Sequence, residues 1–225
     1  MRNISECSKV NGKFIGTCYD GKTVFNLLKN KKKDEGISIF KHDHKMFELT
    51  KMYDQTGFPD DELSLGYSIN VYQETINKVF REYLVNFSYF IRLMEDYGFV
   101  LITDEEAKQC NLPGATGLFS ELFTSMQTEI KLNPRKNADY KKASLLSPEE
   151  KRISFMNRYF VFKKVRNVDV QKMSEVIKTQ KIIENKLQEQ EIEDIENEVK
   201  EIPKRLKAKK TAKKITLTKY NTPEE

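Results

Sequence analysis

A single carboxylate stands inside a run of aromatic and aliphatic residues in the segment KVFREYLVNFSYF, residues 78–90. Moving an ionised carboxylate out of water costs free energy unless a partner compensates its charge. Glu82 therefore has two interpretations. Either it faces water at the rim of a helix that begins nearby, or it faces a ligand that presents hydrogen-bond donors, and the rest of the chain has to decide between the two.

Other combinations of reactive residues predict no chemistry of their own. The segment HDH places His42, Asp43 and His44 side by side, but the chain has no further histidine. Neighbouring residues on a strand point to opposite faces, so a metal site is not predicted. With only these two histidines, no Ser-His-acid set can be argued. Neither phosphate-binding motif, GxGxxG or GxxxxGK[ST], occurs in the chain. No catalytic residue and no metal ligand are predicted.

The elements around Glu82 alternate between strands and helices. A strand over residues 13–18 turns sharply at Tyr-Asp-Gly into a short helix, which is half a unit of an α/β sheet. Further strands are predicted at residues 45–53, 63–72, 99–102 and 157–165, and the second of these alternates apolar with polar residues. Helical spacing of Phe87, Phe90, Ile91 and Met94 predicts a helix that ends at Gly98. Another helix is predicted over residues 118–130.

The composition separates a neutral body from a basic end. The 225 residues carry a formal net charge of +5, and residues 200–225 hold nine Lys or Arg against three Glu. The rest of the chain is therefore close to neutral. The three cysteines are widely spaced and form no CxxC pair, which is typical of a reducing, intracellular compartment. No apolar run is long enough for a membrane span, and no signal-peptide pattern occurs.

The C-terminal third changes character after about residue 170. Residues 171–200 contain no Gly or Pro and many good helix formers, with a loose apolar stripe. This pattern is typical of a solvated helix, and a coiled coil that binds a partner is the alternative. The segment KRLKAKKTAKK then predicts a disordered basic tail. Such a tail either binds RNA phosphates or is simply solvated. The predicted division is 1–168 for the main domain, 169–201 for the charged helix and 202–225 for the tail.

Three segments together resemble the eukaryotic and viral mRNA cap guanine-N7 methyltransferases. RNISECSKVNGKFIGTCYDGKTV resembles the family's fifth-strand region, where a strand reads F-I-G-T-x-x-(D/N). FREYLVNFSYFIRLMEDYGFVLI resembles the pattern E-(F/Y)-L-V, followed by a helix and y-g-(f/m)-x-L. NRYFVFKKV resembles the closing strand, where Y-x-V-F recurs. The three matches fall in the family's order. The Lys- and Asn-rich sequence that carries them is most similar to capping enzymes of large DNA viruses.

The resemblance implies a fold, a cofactor and a cofactor site that lies outside this chain. The fold would be the C-terminal portion of a class I SAM-dependent methyltransferase, a partial mixed sheet with flanking helices, plus the C-terminal helix and basic tail. The family binds S-adenosylmethionine in its first half, on a Gly-rich loop, and that half is not in this sequence. The S-adenosylmethionine site is therefore expected outside this chain, on a partner polypeptide or another chain segment.

The resemblance also assigns three residues to the binding of the cap guanine. Glu82 matches the family's glutamate that contacts the guanine edge, and Tyr159 matches the aromatic residue of the closing strand that lines the pocket. Tyr19 stands where many relatives have a proline at the pocket wall, so its contact departs from the family pattern. No residue of this chain is expected to act in catalysis or to bind the cofactor.

These observations lead to one hypothesis and two alternatives. The chain would carry the guanine-binding half of an mRNA cap guanine-N7 methyltransferase, with capped mRNA as its partner, and would be inactive in isolation. It would work in the cytoplasm, in the host cytoplasm or the virion if it is viral, without a membrane. The first alternative is a non-catalytic methyltransferase-like subunit of a capping complex. The second is a plain RNA-binding module that acts through its tail.

Overall fold

The computed structural model describes residues 1–172, 175, 176 and 179. Met1–Val170 form one compact unit. Most of the predicted charged helix and the whole basic tail lie outside the described residues, so both stay predictions, as does the boundary at residue 168. In the described part of the chain, no helix combines the length and hydrophobicity that a membrane span requires.

The compact unit is an α/β structure with two antiparallel sheets of four strands each. In chain order its helices and strands are α1 (Arg2–Cys7), β1 (Lys13–Tyr19), α2 (Gly21–Leu27), β2 (Gly36–Lys41), β3 (His44–Lys51), β4 (Ser68–Gln73), β5 (Lys78–Tyr83), α3 (Phe87–Asp96), β6 (Phe99–Leu101), α4 (Asp104–Gln109), β7 (Thr116–Leu118), α5 (Phe119–Leu132), α6 (Asn137–Tyr140), α7 (Pro148–Ser154) and β8 (Asn157–Lys164). Short 3₁₀ turns cover Glu62–Ser64, Pro134–Lys136 and Lys141–Leu145. The predicted α/β class is confirmed.

The first sheet places the last strand of the unit at its centre. Strand β8 pairs with β1 on one side and with β6 and β7 on the other, always antiparallel. Helix α3 covers one face of this sheet through an aromatic core that includes Phe87, Met94, Phe99, Phe160 and Phe162. On the opposite face, Val161 packs with Ile102 and with Ala107 of α4. Among the described residues, no strand pairs with the other edge of β1.

The second sheet is a meander in the order β2-β3-β4-β5. Helix α2 packs on one face of it, where Val24 and Leu28 are fully buried against the sheet. The sheet contributes Ile39, Phe47, Leu49, Ile69 and Val71 to this core. Strand β5 is the outer edge of the sheet in the described structure.

The sheets differ from the sequence prediction in their pairing. The sequence predicted a partial mixed sheet, whereas all ladders between the described strands are antiparallel. One isolated parallel bridge joins Asp20 to Val85. The second sheet has a simple reason for its direction, because consecutive strands joined by short turns can pair only antiparallel.

The sequence prediction also differed from the structure in several local segments. The strands at Gly36–Lys41 and Lys78–Tyr83 were not predicted. The strand predicted at residues 63–72 begins only at Ser68, because Asp61 caps the short 3₁₀ turn Glu62–Ser64 and Gly66 adopts a φ of +86°. Glycine is the residue that adopts this backbone conformation without strain.

Candidate functional site

The register of strand β5 decides which way Glu82 points. Glu82 pairs with Ile69 of the neighbouring strand, which is fully buried in the core. Directly opposed residues of an antiparallel pair project to the same face of the sheet. Glu82 therefore projects to the core face of the second sheet, at its edge, and lies on a strand rather than at the rim of a helix as the sequence suggested.

The surroundings of Glu82 leave its charge uncompensated. Glu82 is partly buried, and among the described residues no donor forms a hydrogen bond or an ion pair with its carboxylate. Burial raises the pKa of the Glu82 carboxyl above its ordinary value of 4.5. By contrast, Glu48 on the opposite face of the same sheet is bound by Lys45 and Ser38. A partly desolvated carboxylate without a donor is suited to a ligand that supplies one.

Tyr19 lies close to this carboxylate. Its ring packs against Phe47, with ring centroids 6.4 Å apart, and the Gln73 side-chain amide donates to its hydroxyl oxygen over 3.3 Å. Burial raises the pKa of Tyr19, the hydrogen bond from Gln73 opposes the shift, and the negative charge of Glu82 adds to it. Tyr19 and Glu82 therefore lie within electrostatic reach of each other.

A backbone bridge beside Tyr19 and Glu82 holds the ends of their two strands together. Asp20, directly after Tyr19, forms the parallel bridge with Val85, and the Gly21 amide donates to the Val85 carbonyl over 3.1 Å. A Cβ atom on Gly21 would lie 2.3 Å from that carbonyl oxygen, so only glycine permits the approach. Glu82 stands three residues before Val85. The end of β1 and the end of β5 are thus fastened to each other at the site.

Tyr159 lies among other elements. It pairs with Gly117 of β7, its hydroxyl donates to the Gly114 carbonyl over 3.0 Å, and a Cβ atom on Gly117 would lie 3.1 Å from its ring. Only 5% of the residue is exposed. Its side chain is therefore engaged by β7 and the loop before it. The binding roles predicted for Glu82, Tyr19 and Tyr159 all stay predictions.

The two histidines occupy a hairpin rather than one strand. His42 and Asp43 have φ angles of +48° and +63° and form the turn between β2 and β3, where the sequence analysis had placed them on a strand. Nε2 of His44 lies 2.6 Å from Oε1 of Glu74. The described residues contain no group of three His, Cys, Asp or Glu side chains that could hold a metal ion.

The one cysteine near the site is not an activated nucleophile. Burial raises the pKa of the Cys18 thiol to about 11, the charge of Asp20 raises it further, and the Arg158 guanidinium acts in the opposite direction. A thiol with such a pKa is protonated at neutral pH, and the thiolate is the reactive form.

The sequence alone did not indicate two side chains that lie beside Glu82. Phe80 and Lys78 precede Glu82 by two and four residues, pair with Val71 and Gln73, and project to the same face. The signal was present as alternation in K-V-F-R-E, but it becomes readable only once the segment is known to be a strand. Phe80 is 44% exposed although it belongs to the core face.

The fold and the site define an α/β protein with an unpaired carboxylate at a sheet edge, next to aromatic side chains. No family model matches the chain. The chain is similar to the "Probable mRNA-capping enzyme" of Acanthamoeba polyphaga mimivirus, with 27% identity over 195 residues. The similarity covers 78% of this chain and 16% of that protein, so the chain spans a small part of the length of its relative.

Proposed function

We propose that this chain is the guanine-binding part of an mRNA cap guanine-N7 methyltransferase. The observation that carries the proposal is the unpaired, partly buried Glu82 beside Tyr19, at the position where the sequence resembles the family's guanine-contacting glutamate. The similarity to a probable mRNA-capping enzyme supports mRNA capping as the process. Capped mRNA is then the ligand.

The arrangement of the segments that carry the resemblance supports this proposal. The match to the fifth-strand region, β1, pairs along its whole length with the match to the closing strand, β8. The third match contains Glu82, helix α3 and strand β6, and β6 pairs with the other side of β8. Segments far apart in the sequence therefore meet in one sheet, as segments of one methyltransferase domain would.

The chemistry of guanine explains the choice of a carboxylate. The Watson–Crick edge of guanine presents two adjacent donors, N1–H and the exocyclic amine, and one carboxylate accepts both in a bidentate geometry. Adenine has an acceptor at N1 and no amine at position 2. It would leave the desolvated carboxylate unpaired, and sites that do so discriminate strongly between substrates.

The same carboxylate would favour the reaction itself. When N7 of guanine attacks the methyl carbon of a sulfonium, positive charge develops on the purine. Glu82 would attract this charge more strongly in the transition state than in the ground state, which is the requirement for catalysis. N7 carries a free lone pair, so the reaction needs no general base. What remains is the alignment of nucleophile and methyl donor.

S-adenosylmethionine, which supplies the methyl group, would be bound by a polypeptide or chain segment outside these residues. The unpaired edge of β1 among the described residues supports this division, because a free strand edge is a template for another strand. The role proposed for this chain is limited to holding and orienting the guanine. We expect the chain alone to bind the cap and to transfer no methyl group.

Binding of cap dinucleotides to the full chain tests the proposal. Isothermal titration with GpppA and ApppA should give tighter binding of GpppA. The Glu82→Gln variant keeps the shape of the side chain but replaces one acceptor by a donor, so its preference for GpppA should fall at least about tenfold, since one lost charge-assisted hydrogen bond costs about 1.5–3 kcal/mol. Glu48→Gln, on the opposite face of the same sheet, is the matched control. Equal binding of both dinucleotides by the unaltered chain would refute guanine recognition.

Methyl transfer distinguishes the enzyme from its alternative. The chain is combined with a polypeptide that carries the S-adenosylmethionine-binding half, and N7 methylation of GpppN-ended RNA is measured. Turnover that Glu82→Ala abolishes, in a variant that still folds, is expected for the methyltransferase. Cap binding without any turnover in the mixture would instead indicate a non-catalytic subunit of a capping complex.

A further inference from the structure

The core face of strand β5 carries three unpartnered side chains of different chemistry in a row. Lys78, Phe80 and Glu82 alternate along the strand with residues of the opposite face, and their partners Gln73, Val71 and Ile69 confirm the register. Residues two apart on a strand lie about 7 Å from each other. The row therefore presents a cation, an aromatic ring and a carboxylate over about 13 Å.

Each of the three lacks a partner within the described structure. No carboxylate there pairs with Lys78, although lysines elsewhere, such as Lys22 and Lys163, form close ion pairs. No aromatic ring of the described residues packs against Phe80, although most phenylalanines of the chain pack against other rings. Glu82 has no donor. An unpaired row of this kind is unusual on the core face of a sheet, where side chains normally bury one another.

We propose that Lys78, Phe80 and Glu82 together form the subsite for the capped end, in which Phe80 stacks on the guanine and Lys78 binds the triphosphate bridge. This inference rests on the proposed function, since Glu82 supplies the base contact. It adds two binding residues that the sequence resemblance did not assign, one for the base and one for the triphosphate bridge of the capped end.

The order of the three side chains matches the shape of the ligand. In a guanine nucleotide the Watson–Crick edge lies at one end of the purine, and the sugar is attached at the other end. With that edge at Glu82, the ring plane would cover Phe80, and the sugar with its phosphates would extend toward Lys78. N7 lies at neither end of this axis, so it would remain open to a methyl donor. A reversed order of the side chains along β5 would not fit.

The exposure of Phe80 gives the row room for a base. Its partner Val71 is 1% exposed, whereas Phe80 is 44% exposed. The core beneath the edge of the sheet therefore ends at Val71, and the ring of Phe80 presents open apolar surface. Stacking of a base on an aromatic side chain is a common source of affinity in nucleic-acid binding.

Variants of the full chain, titrated with GpppA and with guanosine, separate the two added roles. Lys78→Ala should weaken binding of GpppA several-fold, reduce its dependence on salt and leave guanosine binding unchanged. Phe80→Ala should weaken both ligands about tenfold, and Phe80→Trp should retain binding of both. Retention by the tryptophan variant distinguishes stacking from a loss of folding in the alanine variant.

The opposite face of the same strand offers matched controls. Val79 and Arg81 alternate with the row and project away from the core, so Val79→Ala and Arg81→Ala should bind GpppA like the unaltered chain. Equal losses in these controls would overturn the assignment of the face.

The results also separate this inference from the function on which it rests. If binding of GpppA depends on Glu82 but is unchanged in Lys78→Ala and Phe80→Ala, the subsite is wrong and guanine recognition stands. If the unaltered chain does not prefer GpppA to ApppA, guanine recognition and the subsite both fail.

Discussion

Arg158 Nε lies 2.7 Å from Oδ2 of Asp20, and this ion pair ties the closing strand to the turn that follows β1. The side chain of Asp20 is 7% exposed and that of Arg158 is 23% exposed. The other carboxylate oxygen of Asp20 accepts from both the backbone amide and the hydroxyl of Thr23, which caps helix α2. Because Tyr19 precedes Asp20, this network also fixes the backbone of the candidate site.

Removal of the Asp20 side chain should destabilise the chain strongly. Asp20→Ala leaves the Arg158 guanidinium without its partner and deletes the helix cap, so we expect the free energy of unfolding to fall by about 3 kcal/mol. Asp20→Asn keeps a capping oxygen and should lose less. Urea denaturation measures both variants, and an equal loss in the two would contradict the contribution of the cap.

The same carboxylate should make stability depend on acid. Burial alone would raise the pKa of Asp20, but the hydrogen bonds from Thr23 and Arg158 outweigh it and hold the pKa below its ordinary value of 3.8. An acid with a lowered pKa in the folded state stabilises the fold above its unfolded pKa. That contribution is lost as the pH falls through the folded value.

Comparison of the unaltered chain with Asp20→Asn over pH 7 to about pH 2 tests this dependence, because asparagine does not titrate. The difference in the free energy of unfolding between the two proteins should be constant near neutrality and shrink below about pH 4. A difference that stays constant through the acid range would show that the ion pair does not control the loss of stability at low pH.

The ionised Glu82 carboxylate should destabilise the fold at neutral pH, in contrast to that of Asp20. Its pKa is raised by burial, so its ionised form is disfavoured in the folded state, and stability falls as the pH rises from its ordinary value of 4.5 through the higher folded value. Glu82→Gln should therefore raise the free energy of unfolding at pH 7, by roughly 0.5 kcal/mol. Such a gain is typical of residues kept for function rather than for folding.

Glu48→Gln is the matched comparison on the same sheet. The hydrogen bond from Lys45 lowers the pKa of Glu48, burial opposes the shift, and the hydrogen bond from Ser38 lowers the pKa further. Its replacement should lower stability slightly at pH 7. Thermal unfolding of both variants would contradict the argument if Glu82→Gln were the less stable of the two.

The sequence predicted the parts of this fold whose side chains follow a clear period. Helix α3 and strands β1 and β8 were found because Phe87 and Met94 recur at helical spacing, and because β8 is dense in aromatic and β-branched residues. Strand β5 was missed because it is an edge strand, and both of its faces carry exposed apolar residues such as Val79 and Phe80. The order of apolar and polar residues along β5 therefore does not show which face of the strand is turned toward the core.

The candidate site was accessible from the sequence only in part. The resemblance singled out Glu82 and Tyr19, whose segments become neighbours because the bridge between Asp20 and Val85 joins residues some 60 positions apart in the sequence. No local pattern reports such a long-range contact. Tyr159 was chosen by the same resemblance, but its hydroxyl bonds to the loop before β7, a segment where the sequence signal was weak.

The stacked pair Tyr53 and Tyr67 provides a last prediction, on the core of the second sheet. Their ring centroids are 5.0 Å apart, and both residues are buried. The Tyr67 hydroxyl donates to the Gly57 carbonyl over 3.0 Å, whereas no group of the described residues forms a hydrogen bond with the buried Tyr53 hydroxyl. Burial raises the pKa of Tyr53 to about 12, and the neighbouring Tyr67 adds to the shift.

Removal of the two hydroxyls should therefore have opposite effects. Tyr53→Phe deletes an unsatisfied polar group and should raise the free energy of unfolding by about 1 kcal/mol, while Tyr67→Phe breaks a hydrogen bond and should lower it by about 1 kcal/mol. Both variants keep the aromatic stack, so the ring contacts cancel in the comparison. Urea denaturation at neutral pH measures the two changes. A loss of stability in Tyr53→Phe as large as in Tyr67→Phe would mean that the Tyr53 hydroxyl has a partner in solution.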